Sequence, residues 1–473
     1  MKKRVLIIGA GEAGSMMVRE ISAHPQSGLE VVGFLDDDVS LHGKSVEGFT
    51  VIGAIDTLLE VVSSTNVDDV IMAVPSGGRD LVRRVVRLCR DAGVEFRIVP
   101  GLIEIIRGSV GLEQLREVHP EDLLGRQTVE FDGGAIRDKL AGQRVMVTGA
   151  GGSIGGEICR QVGRFDLEEL QLVGRGENQI YNIEQEIRSM FPSLPVRSII
   201  ADIRDRRGLA TTFSRFNPEF VYHAAAHKHV HYMEAYPEEA VKNNVFGTAN
   251  VIHAARESGV GRVVMLSTDK AVRPQGVMGA TKRVAEYLMV DANGHSHKTR
   301  LITVRFGNVL GSRGSVVPLF INQIRSGGPV TVSDERATRF FMTLNEACML
   351  VVQASLMGEG GEVFILKMGG PIRILEMAKD LIAMHGLRAD DDIKIEITGL
   401  REGEKLHEDL IVEEEETSDS SHDYILCSQP RLPDGWETEM VLGRLRDLTE
   451  RGDEAGIYDF LGSIIPDAQM GKS

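Results

Sequence analysis

The chain has 473 residues, 42% of them hydrophobic, which is more than one core accommodates, so two or three domains are expected. A formal net charge of -16 argues against a nucleic-acid-binding surface, which would show clustered basic residues. Four scattered cysteines without a CxxC pair fit reduced thiols and no metal site, and no apolar run is long enough to span a membrane. The sequence therefore predicts a cytoplasmic protein without membrane insertion.

The first residues follow the pattern of a dinucleotide-binding fold. Arg4–Ile8 is a short apolar strand, Gly9–Gly14 follows as GxGxxG, and a helical pattern comes next. The next strand, Glu30–Leu35, ends at Asp36, where an acidic side chain would meet a ribose hydroxyl. We predict a Rossmann-like domain over residues 1–105, followed by a connector over 106–135. Either the domain binds a nucleotide, or its glycines serve only tight packing.

A second such start lies near residue 144. Strand Arg144–Thr148 leads into Gly149–Gly155, a TGxxGxxG loop before a helix. Glycines let the backbone approach a pyrophosphate, and a helix N-terminus supplies free amides. The following strand ends at Arg175, which is either a 2′-phosphate contact that favours NADP over NAD or a solvated charge. The predicted cofactor-binding residues of this region are Thr148, Gly149, Gly152, Ser153, Ile154, Gly155, Arg175, Asp202, Ile203, Ala224 and Ala225.

The next polar stretch is the main candidate for chemistry. It follows a short apolar run that is predicted to be a buried parallel strand, so Thr268, Asp269 and Lys270 lie at a strand's carboxyl end. Open α/β sheets bind ligands at that edge. Met278 and Lys282 would share a face of the following helix. Either a hydroxyl, a carboxylate and two lysines converge on one crevice, or the stretch is a surface turn. Before it, residues 240–258 are predicted to form one helix.

Six strings follow one another in the second part of the chain, in the order TGAGGSIG, HAAAHKHVHYME, STDKA, MGATKR, RFGNVLGSRGSVVPLF and GLREGEKLHEDL. Through these strings, residues 136 to about 412 resemble the extended short-chain dehydrogenase/reductase superfamily, and within it the bacterial nucleotide-sugar 4,6-dehydratases of capsule, O-antigen and protein-glycan synthesis. This resemblance implies an α/β protein with two Rossmann-like, doubly wound parallel-sheet domains. The second would span 136–473, with a small C-terminal substrate-binding subdomain mainly in 311–345 and 395–470. Longer members carry transmembrane helices ahead of the first domain, and this sequence shows none.

The resemblance implies conversion of a UDP-N-acetylhexosamine, with UDP-N-acetylglucosamine favoured, to its UDP-4-keto-6-deoxy derivative. The reaction is an internal redox cycle with tightly bound NADP or NAD. Asp269 would be the acid at C6 and a candidate acceptor for the C4 proton, and Lys270 the base at C5. Thr268 would bond the C4 oxygen, and Lys282 would hold the nicotinamide ribose. The charge of Lys282 and burial would lower the pKa of Lys270.

Met278 stands where most of the superfamily has a tyrosine. A thioether cannot transfer a proton, so the site has either decayed or belongs to the dehydratase branch with this methionine pattern, which retains the C5 configuration. We favour the second reading. The alternatives are a UDP-sugar epimerase or a C5-epimerising dehydratase of the same fold, which Met278 disfavours. A non-catalytic NAD(P) sensor is a further alternative, and the Asp269–Lys270 pair disfavours it.

Substrate contacts are expected from polar residues near the same strand ends. A diphosphate needs cationic partners, and Arg339 and Arg401 are the candidates, although a structural salt bridge is an equal alternative for Arg339. The predicted set is Lys228, Asn308, Ser312, Ser315, Arg339, Arg401 and Glu404. A UDP-sugar substrate and a homo-oligomer are the expected partners.

Overall fold

The structure, a computed structural model, describes residues 2–74, 77–99, 115–124, 131–294, 298–412 and 415–471. The predicted connector lies largely outside the described residues, so the predicted domain boundaries stay a prediction. The chain divides into two compact units. One unit comprises Met1–Val129, Val316–Val332 and Leu375–Ile397, and the other comprises Glu130–Ser315, Ser333–Ile374 and Thr398–Ser473. Within the described ranges, every helix is too short or too polar to cross a bilayer.

The strands are, in chain order, β1 (Lys3–Ile8), β2 (Leu29–Leu35), β3 (Ser45–Val46), β4 (Phe49–Gly53), β5 (Asp69–Met72), β6 (Glu95–Ile98), β7 (Arg116–Glu117), β8 (Arg144–Thr148), β9 (Glu169–Gly174), β10 (Val196–Ile200), β11 (Phe220–His223), β12 (Arg262–Thr268), β13 (Arg300–Phe306), β14 (Asn308–Val309), β15 (Val330–Val332), β16 (Thr338–Arg339), β17 (Phe341–Met342), β18 (Val363–Leu366), β19 (Ile372–Arg373), β20 (Ile395–Ile397), β21 (Thr417–Asp419) and β22 (Ile425–Ser428).

The α-helices are α1 (Glu12–Ala23), α2 (Leu58–Thr65), α3 (Arg79–Ala92), α4 (Gly133–Leu140), α5 (Ser153–Val162), α6 (Glu177–Met190), α7 (Arg206–Phe216), α8 (Val230–Ala235), α9 (Pro237–Ala240), α10 (Gly247–Glu257), α11 (Val277–Gly294), α12 (Val316–Arg325), α13 (Leu344–Met357), α14 (Ile374–Met384), α15 (Thr438–Arg451) and α16 (Glu454–Ile464).

The first unit is built on a sheet in the order β3-β4-β2-β1-β5-β6-β7, whose central strands are parallel. This confirms the predicted Rossmann-like fold. A Cβ on Gly14 would lie 2.0 Å from the carbonyl oxygen of Gly9, so the glycines let α1 pack directly on the turn after β1. The carboxylate of Asp36 accepts a hydrogen bond from the N–H of Ala10 at 2.7 Å, so the predicted ribose-binding acid also braces this loop. β15 pairs with β20 in the same unit.

The second unit contains a nine-stranded sheet in the order β10-β9-β8-β11-β12-β13-β18-β22-β21. Its first seven strands are parallel, which confirms the doubly wound fold. They are almost continuously apolar, as expected of strands covered on both faces. Strand order reverses between β8 and β11, and ligands bind beyond the carboxyl ends of strands at such a point. The loops after β8, β11 and β12 therefore define the place to look for a site.

The helix predicted over 240–258 contains a wider turn that the sequence did not predict. α9 and α10 are joined by a π-helical turn, Val241–Phe246. The Asn244 side chain accepts from the N–H of His227 at 2.8 Å and donates to its carbonyl oxygen at 3.0 Å and to Thr281 Oγ1 at 3.1 Å. Such turns are rare and occur frequently at functional sites. Here the turn ties the loop after β11 to α11.

Candidate active site

The glycine loop after β8 is shaped by two close approaches of backbone. Gly149 has φ 72°, and a Cβ there would lie 2.7 Å from the nitrogen of Ala225. A Cβ on Gly155 would lie 2.3 Å from the carbonyl oxygen of Gly149. Side chains at these two positions would push apart the ends of β8 and β11 and the start of α5. The loop is thus a cradle that glycine alone permits, with the N-terminus of α5 at Ser153 above it.

A cavity of about 220 Å³ lies beside this cradle, at the ends of β8, β9 and β11 and after β10. Seven of the predicted cofactor residues line it: Gly149, Gly152, Arg175, Asp202, Ile203, Ala224 and Ala225. Arg175 is exposed, and within the described part of the chain its guanidinium makes no hydrogen bond or ion pair. Asp202 is instead engaged by Arg204, which donates to its Oδ2 at 2.7 Å. The lining suits an adenosine, with a free cation at its edge.

A larger cavity of about 550 Å³ adjoins the first, since Gly152, Ala224, Ala226 and His227 line both. Its other walls include the predicted residues Ser153, Ile154, Gly155 and Lys228, together with Tyr232, Tyr236 and Arg313, which sequence reasoning missed. The N–H of Arg313 donates to Ser153 Oγ at 3.0 Å, so the loop after β14 touches the glycine loop. The GSRGS string was the available signal for this residue.

The side chain of Thr148 is used inside the sheet. Its Oγ1 lies 2.8 Å from His223 Nδ1, and His223 Nε2 lies 3.1 Å from Thr248 Oγ1. Burial, together with the charge of Lys282, lowers the pKa of His223 to about 3, so the ring is neutral. This buried series of hydrogen bonds connects the end of β8 to the end of β11. A contact between Thr148 and a cofactor remains a prediction.

The structure brings together the polar residues predicted after β12. Thr268 ends the strand, and a 3₁₀ turn, Asp269–Ala271, follows. Thr268 Oγ1 donates to Asp269 Oδ1 at 2.8 Å. Lys270 Nζ lies 3.0 Å from the same oxygen and 3.1 Å from Asn308 Oδ1. The Asp269 side chain is fully buried, and within the described residues its Oδ2 has no hydrogen-bond partner. A carboxyl oxygen is therefore left over for a ligand.

Glu408 is a further carboxylate at this centre, and sequence reasoning missed it. Its Oε1 lies 3.4 Å from Lys270 Nζ and 3.7 Å from Arg339 Nε, and its Oε2 lies 3.7 Å from Lys405 Nζ. Its side chain is only 2% exposed, whereas that of Lys270 is 22% exposed. The Lys270 side chain can thus contact a ligand, whereas Glu408 is buried and contacts Lys270 from the protein interior. The available signal was the acidic residue in the LHEDL end of the last matching string.

The expected lowering of the pKa of Lys270 by Lys282 is wrong. Burial disfavours the charged form, but the carboxylates of Asp269 and Glu408 outweigh it and raise the pKa of Lys270. The opposing positive charge comes from Arg339. Burial, helped by the charge of Glu408 and opposed by Lys270, raises the pKa of Asp269. Asp269 is thus suited to carry a proton, whereas Lys270 is held as an ammonium.

Met278 and Lys282 lie on α11, which packs tightly on the catalytic turn. A Cβ on Gly279 would lie 2.1 Å from the carbonyl oxygen of Lys270. Lys282 Nζ donates to the carbonyl oxygen of Leu266 at 2.7 Å, and burial lowers the pKa of Lys282 to about 8. Met278 is buried with no group that can exchange a proton. The predicted shared helix is confirmed, but of Lys270 and Lys282 it is Lys282 whose pKa is lowered.

Among the predicted substrate residues, Arg339 is used internally. It is buried and donates to Glu404 Oε1 at 3.0 Å and to the carbonyl oxygens of Thr338 and Leu406. Of the two predicted roles for Arg339, the structure shows the salt bridge, which Arg339 forms with Glu404. Lys228 Nζ lies 3.5 Å from Ser312 Oγ, next to the larger cavity, and Arg401 is exposed.

Comparison with known proteins agrees with this architecture. Residues 145–430 match a family described as polysaccharide biosynthesis protein, and residues 1–100 match a CoA-binding domain. The first match covers more than half of the chain. The chain belongs to the polysaccharide biosynthesis protein family. Its relatives include UDP-glucose 4-epimerases and a UDP-N-acetylglucosamine 4,6-dehydratase, and its structural neighbours have the short-chain dehydrogenase/reductase fold.

One relative of this protein is the capsular polysaccharide biosynthesis protein CapD of Staphylococcus aureus, which is 44% identical over 87% of this chain and 69% of CapD. Another is the UDP-N-acetylglucosamine 4,6-dehydratase (inverting) of Campylobacter jejuni, 36% identical over 59% of this chain and 79% of the relative. The X-ray structure of Pen from Bacillus thuringiensis matches with TM-score 0.57 and 33% identity, over 65% of this chain and 98% of Pen. The UDP-glucose 4-epimerase of Thermus thermophilus, solved with NAD, shares the fold at TM-score 0.50 and 22% identity, over 57% of this chain and 90% of the epimerase.

Proposed function

We propose that this protein is a nucleotide-sugar 4,6-dehydratase that converts a UDP-N-acetylhexosamine, first of all UDP-N-acetylglucosamine, to its UDP-4-keto-6-deoxy derivative. The observation that carries the proposal is the buried Asp269 carboxyl next to Lys270. Its Oδ2 makes no hydrogen bond within the described residues, and its raised pKa suits a general acid. The 36% identity to a UDP-N-acetylglucosamine 4,6-dehydratase supports the substrate class. That relative is described as inverting, whereas Met278 favours retention at C5.

The residues present fit a nicotinamide dinucleotide. The glycine cradle and the N-terminus of α5 suit a pyrophosphate, and the cavity edged by Arg175 suits an adenosine and favours a 2′-phosphate. Lys282, held by Leu266, is available for the nicotinamide ribose. When bound, such a group accepts a hydride from C4 and returns one to C6. Solved neighbours of this fold that hold NAD support the cofactor class.

The remaining tasks are proton transfers. Asp269 takes the proton of the C4 hydroxyl while Thr268 bonds the C4 oxygen. The 4-ketone acidifies the proton at C5, and Lys270 removes it once its Nζ is an uncharged amine. Asp269 then gives its proton to the C6 hydroxyl, which leaves as water. Finally Lys270 returns a proton to C5, so both side chains end as they began.

Mass spectrometry tests the proposal directly. The purified protein is incubated with UDP-N-acetylglucosamine and NADP or NAD, and the nucleotide sugar is weighed. A product lighter by one water, reactive with carbonyl reagents, is the expected result. A product of unchanged mass but altered chromatographic mobility would indicate an epimerase and overturn the proposal. Unchanged substrate across a panel of UDP-sugars and both cofactors would favour the non-catalytic alternative.

A further inference from the structure

The ammonium of Lys270 is surrounded by three oxygen acceptors. Asp269 Oδ1 lies at 3.0 Å, Asn308 Oδ1 at 3.1 Å and Glu408 Oε1 at 3.4 Å from Nζ. An ammonium has three N–H donors and no lone pair. Nζ donates to the first two oxygens and forms an ion pair with the third, and Lys270 cannot accept a proton until it has first lost one.

Two of the three acceptors are unsuited to take that proton. The amide oxygen of Asn308 is not basic, and Asp269 already carries the proton that moves from the C4 hydroxyl to the C6 hydroxyl. Glu408 is the remaining group. It is a buried carboxylate whose second oxygen, Oε2, accepts no hydrogen bond within the described part of the chain.

We propose that Glu408 is a proton store for the reaction: it takes a proton from Lys270 when substrate binds and returns it when product forms. This deepens, and rests on, the proposed 4,6-dehydratase function. One N–H bond of Lys270 breaks and an O–H bond forms on Glu408, which leaves a neutral amine facing C5. The amine takes the C5 proton and later gives it back, and the proton on Glu408 then returns to Nζ. No proton is gained or lost over the cycle.

The charges around Glu408 set when this transfer occurs. Asp269 and Lys270 lie on the turn after β12, Arg339 comes from β16, and Lys405 lies on the same segment as Glu408. Arg339 and Lys405 both form ion pairs with Glu408, and the pKa of Lys270 is raised, so the proton rests on Lys270 in the free enzyme. Glu404 forms an ion pair with Arg339 at 3.0 Å, which weakens the attraction between Arg339 and Glu408. A substrate that excludes water from the partly exposed ammonium would destabilise its charge and drive the proton to Glu408.

The test compares Glu408→Gln, Glu408→Asp and the wild type. Glutamine keeps the shape but cannot store a proton, whereas aspartate keeps the carboxylate and should rescue part of the activity. Three readouts are followed: absorbance of reduced nicotinamide after mixing, solvent deuterium at C5 of the product, and the pH profile of kcat. Asp380→Asn is the control, because it removes a buried carboxylate paired with Arg87 in the first compact unit. It is expected to leave turnover unchanged.

We expect Glu408→Gln to bind cofactor and to form reduced nicotinamide, because oxidation at C4 needs only Asp269. Dehydration should slow by roughly 10²–10⁴-fold, the usual worth of a proton-transfer group. The deficit should be greatest at low pH, where solvent cannot take the proton of Lys270, so the acidic limb of kcat should move to higher pH and reduced nicotinamide should accumulate there. An unchanged maximal rate with the acidic limb moved to lower pH would overturn the inference, since Glu408 would then only raise the pKa of Lys270. Equal loss of C4 oxidation would also overturn it. A wild type without any dehydrated product would overturn the proposed function itself and the inference with it.

Discussion

Glu234 Oε1 accepts a hydrogen bond from the backbone N–H of Val277 at 2.8 Å. Glu234 lies on α8, and Val277 is the first residue of α11, the helix that carries Met278 and Lys282. A Cβ on Gly403 would lie 2.7 Å from the same oxygen. One carboxylate therefore joins three segments next to the site. Burial, with a contribution from the charge of Glu402, raises its pKa to about 7.

This relationship predicts how stability depends on pH. The folded pKa of Glu234 exceeds that of an unfolded chain, about 4.3, so the folded protein binds more protons between those values. Stability is then lost as pH rises through that window. The Glu234→Gln variant keeps an oxygen that accepts the hydrogen bond from Val277 but has no charge. At pH 8 its free energy of unfolding should exceed that of the wild type by about 1 kcal/mol, allowing for solvent screening. Thermal unfolding midpoints at pH 5 and pH 8 check this; equal differences at both pH values would contradict it.

Lys270→Ala should leave cofactor binding intact, because the glycine cradle and Lys282 lie elsewhere. It should abolish proton removal at C5, so solvent deuterium no longer enters the product there. Met278→Ala is the matched control, since Met278 lies beside the same turn but has no proton to transfer. If the two variants lost activity equally while folded and cofactor-loaded, the assignment of proton chemistry to Lys270 would be wrong.

Asp269→Asn keeps the size of the side chain but cannot deliver the proton to the C6 hydroxyl. Dehydration should slow by roughly 10²–10⁴-fold. Because the amide is close in size to the carboxyl and brings no charge into this buried position, the folded structure should persist. Single-turnover measurements check the rate, and circular dichroism checks the fold. Near-normal dehydration would move the acid to another residue.

Gly155→Ala should prevent dinucleotide binding. Its Cβ would lie 2.3 Å from the carbonyl oxygen of Gly149, so the start of α5 must move away from the strand end. Gly443→Ala is the control, because the position lies in α15 and a Cβ there meets nothing within 4 Å. Fluorescence titration with reduced nicotinamide dinucleotide compares them. Unchanged affinity in Gly155→Ala would show that the pyrophosphate lies elsewhere.

Arg175→Asp should shift cofactor preference from NADP towards NAD. The guanidinium edges the smaller cavity without a hydrogen bond or ion pair in the described ranges, and a carboxylate there would repel a 2′-phosphate. The ratio of Kd values for the two cofactors is the measurement. A ratio that does not change would place Arg175 outside the 2′-phosphate site.

Local sequence signals were enough for much of the fold and for part of the site. A strand, a glycine loop and a helix follow one another in sequence, so β8, Gly149–Gly155 and α5 could be predicted from their order. The same holds for Thr268 to Lys270, because a strand end fixes where neighbouring residues lie. Both of these predictions depend on short stretches of backbone.

Long-range charge pairing was beyond those signals. Glu408 lies far from Lys270 in sequence, and only the packing of the last segment brings the two within 3.4 Å. The same packing pairs Arg339 with Glu404. From the sequence alone, Arg339 could equally have been a substrate contact or part of a salt bridge. The direction of the pKa shift of Lys270 failed for this reason, since it depends on carboxylates that no local pattern identifies.

The first compact unit takes in two stretches from the second half of the chain, Val316–Val332 and Leu375–Ile397. Asp380, in the second of these, forms ion pairs with Arg83 and Arg87 of α3. The first compact unit is therefore not encoded by one continuous stretch of sequence. An exchange of residues 1–129 between relatives would pair α3 of one protein with the 375–397 stretch of another, so we expect stable chimaeras to carry all three stretches together.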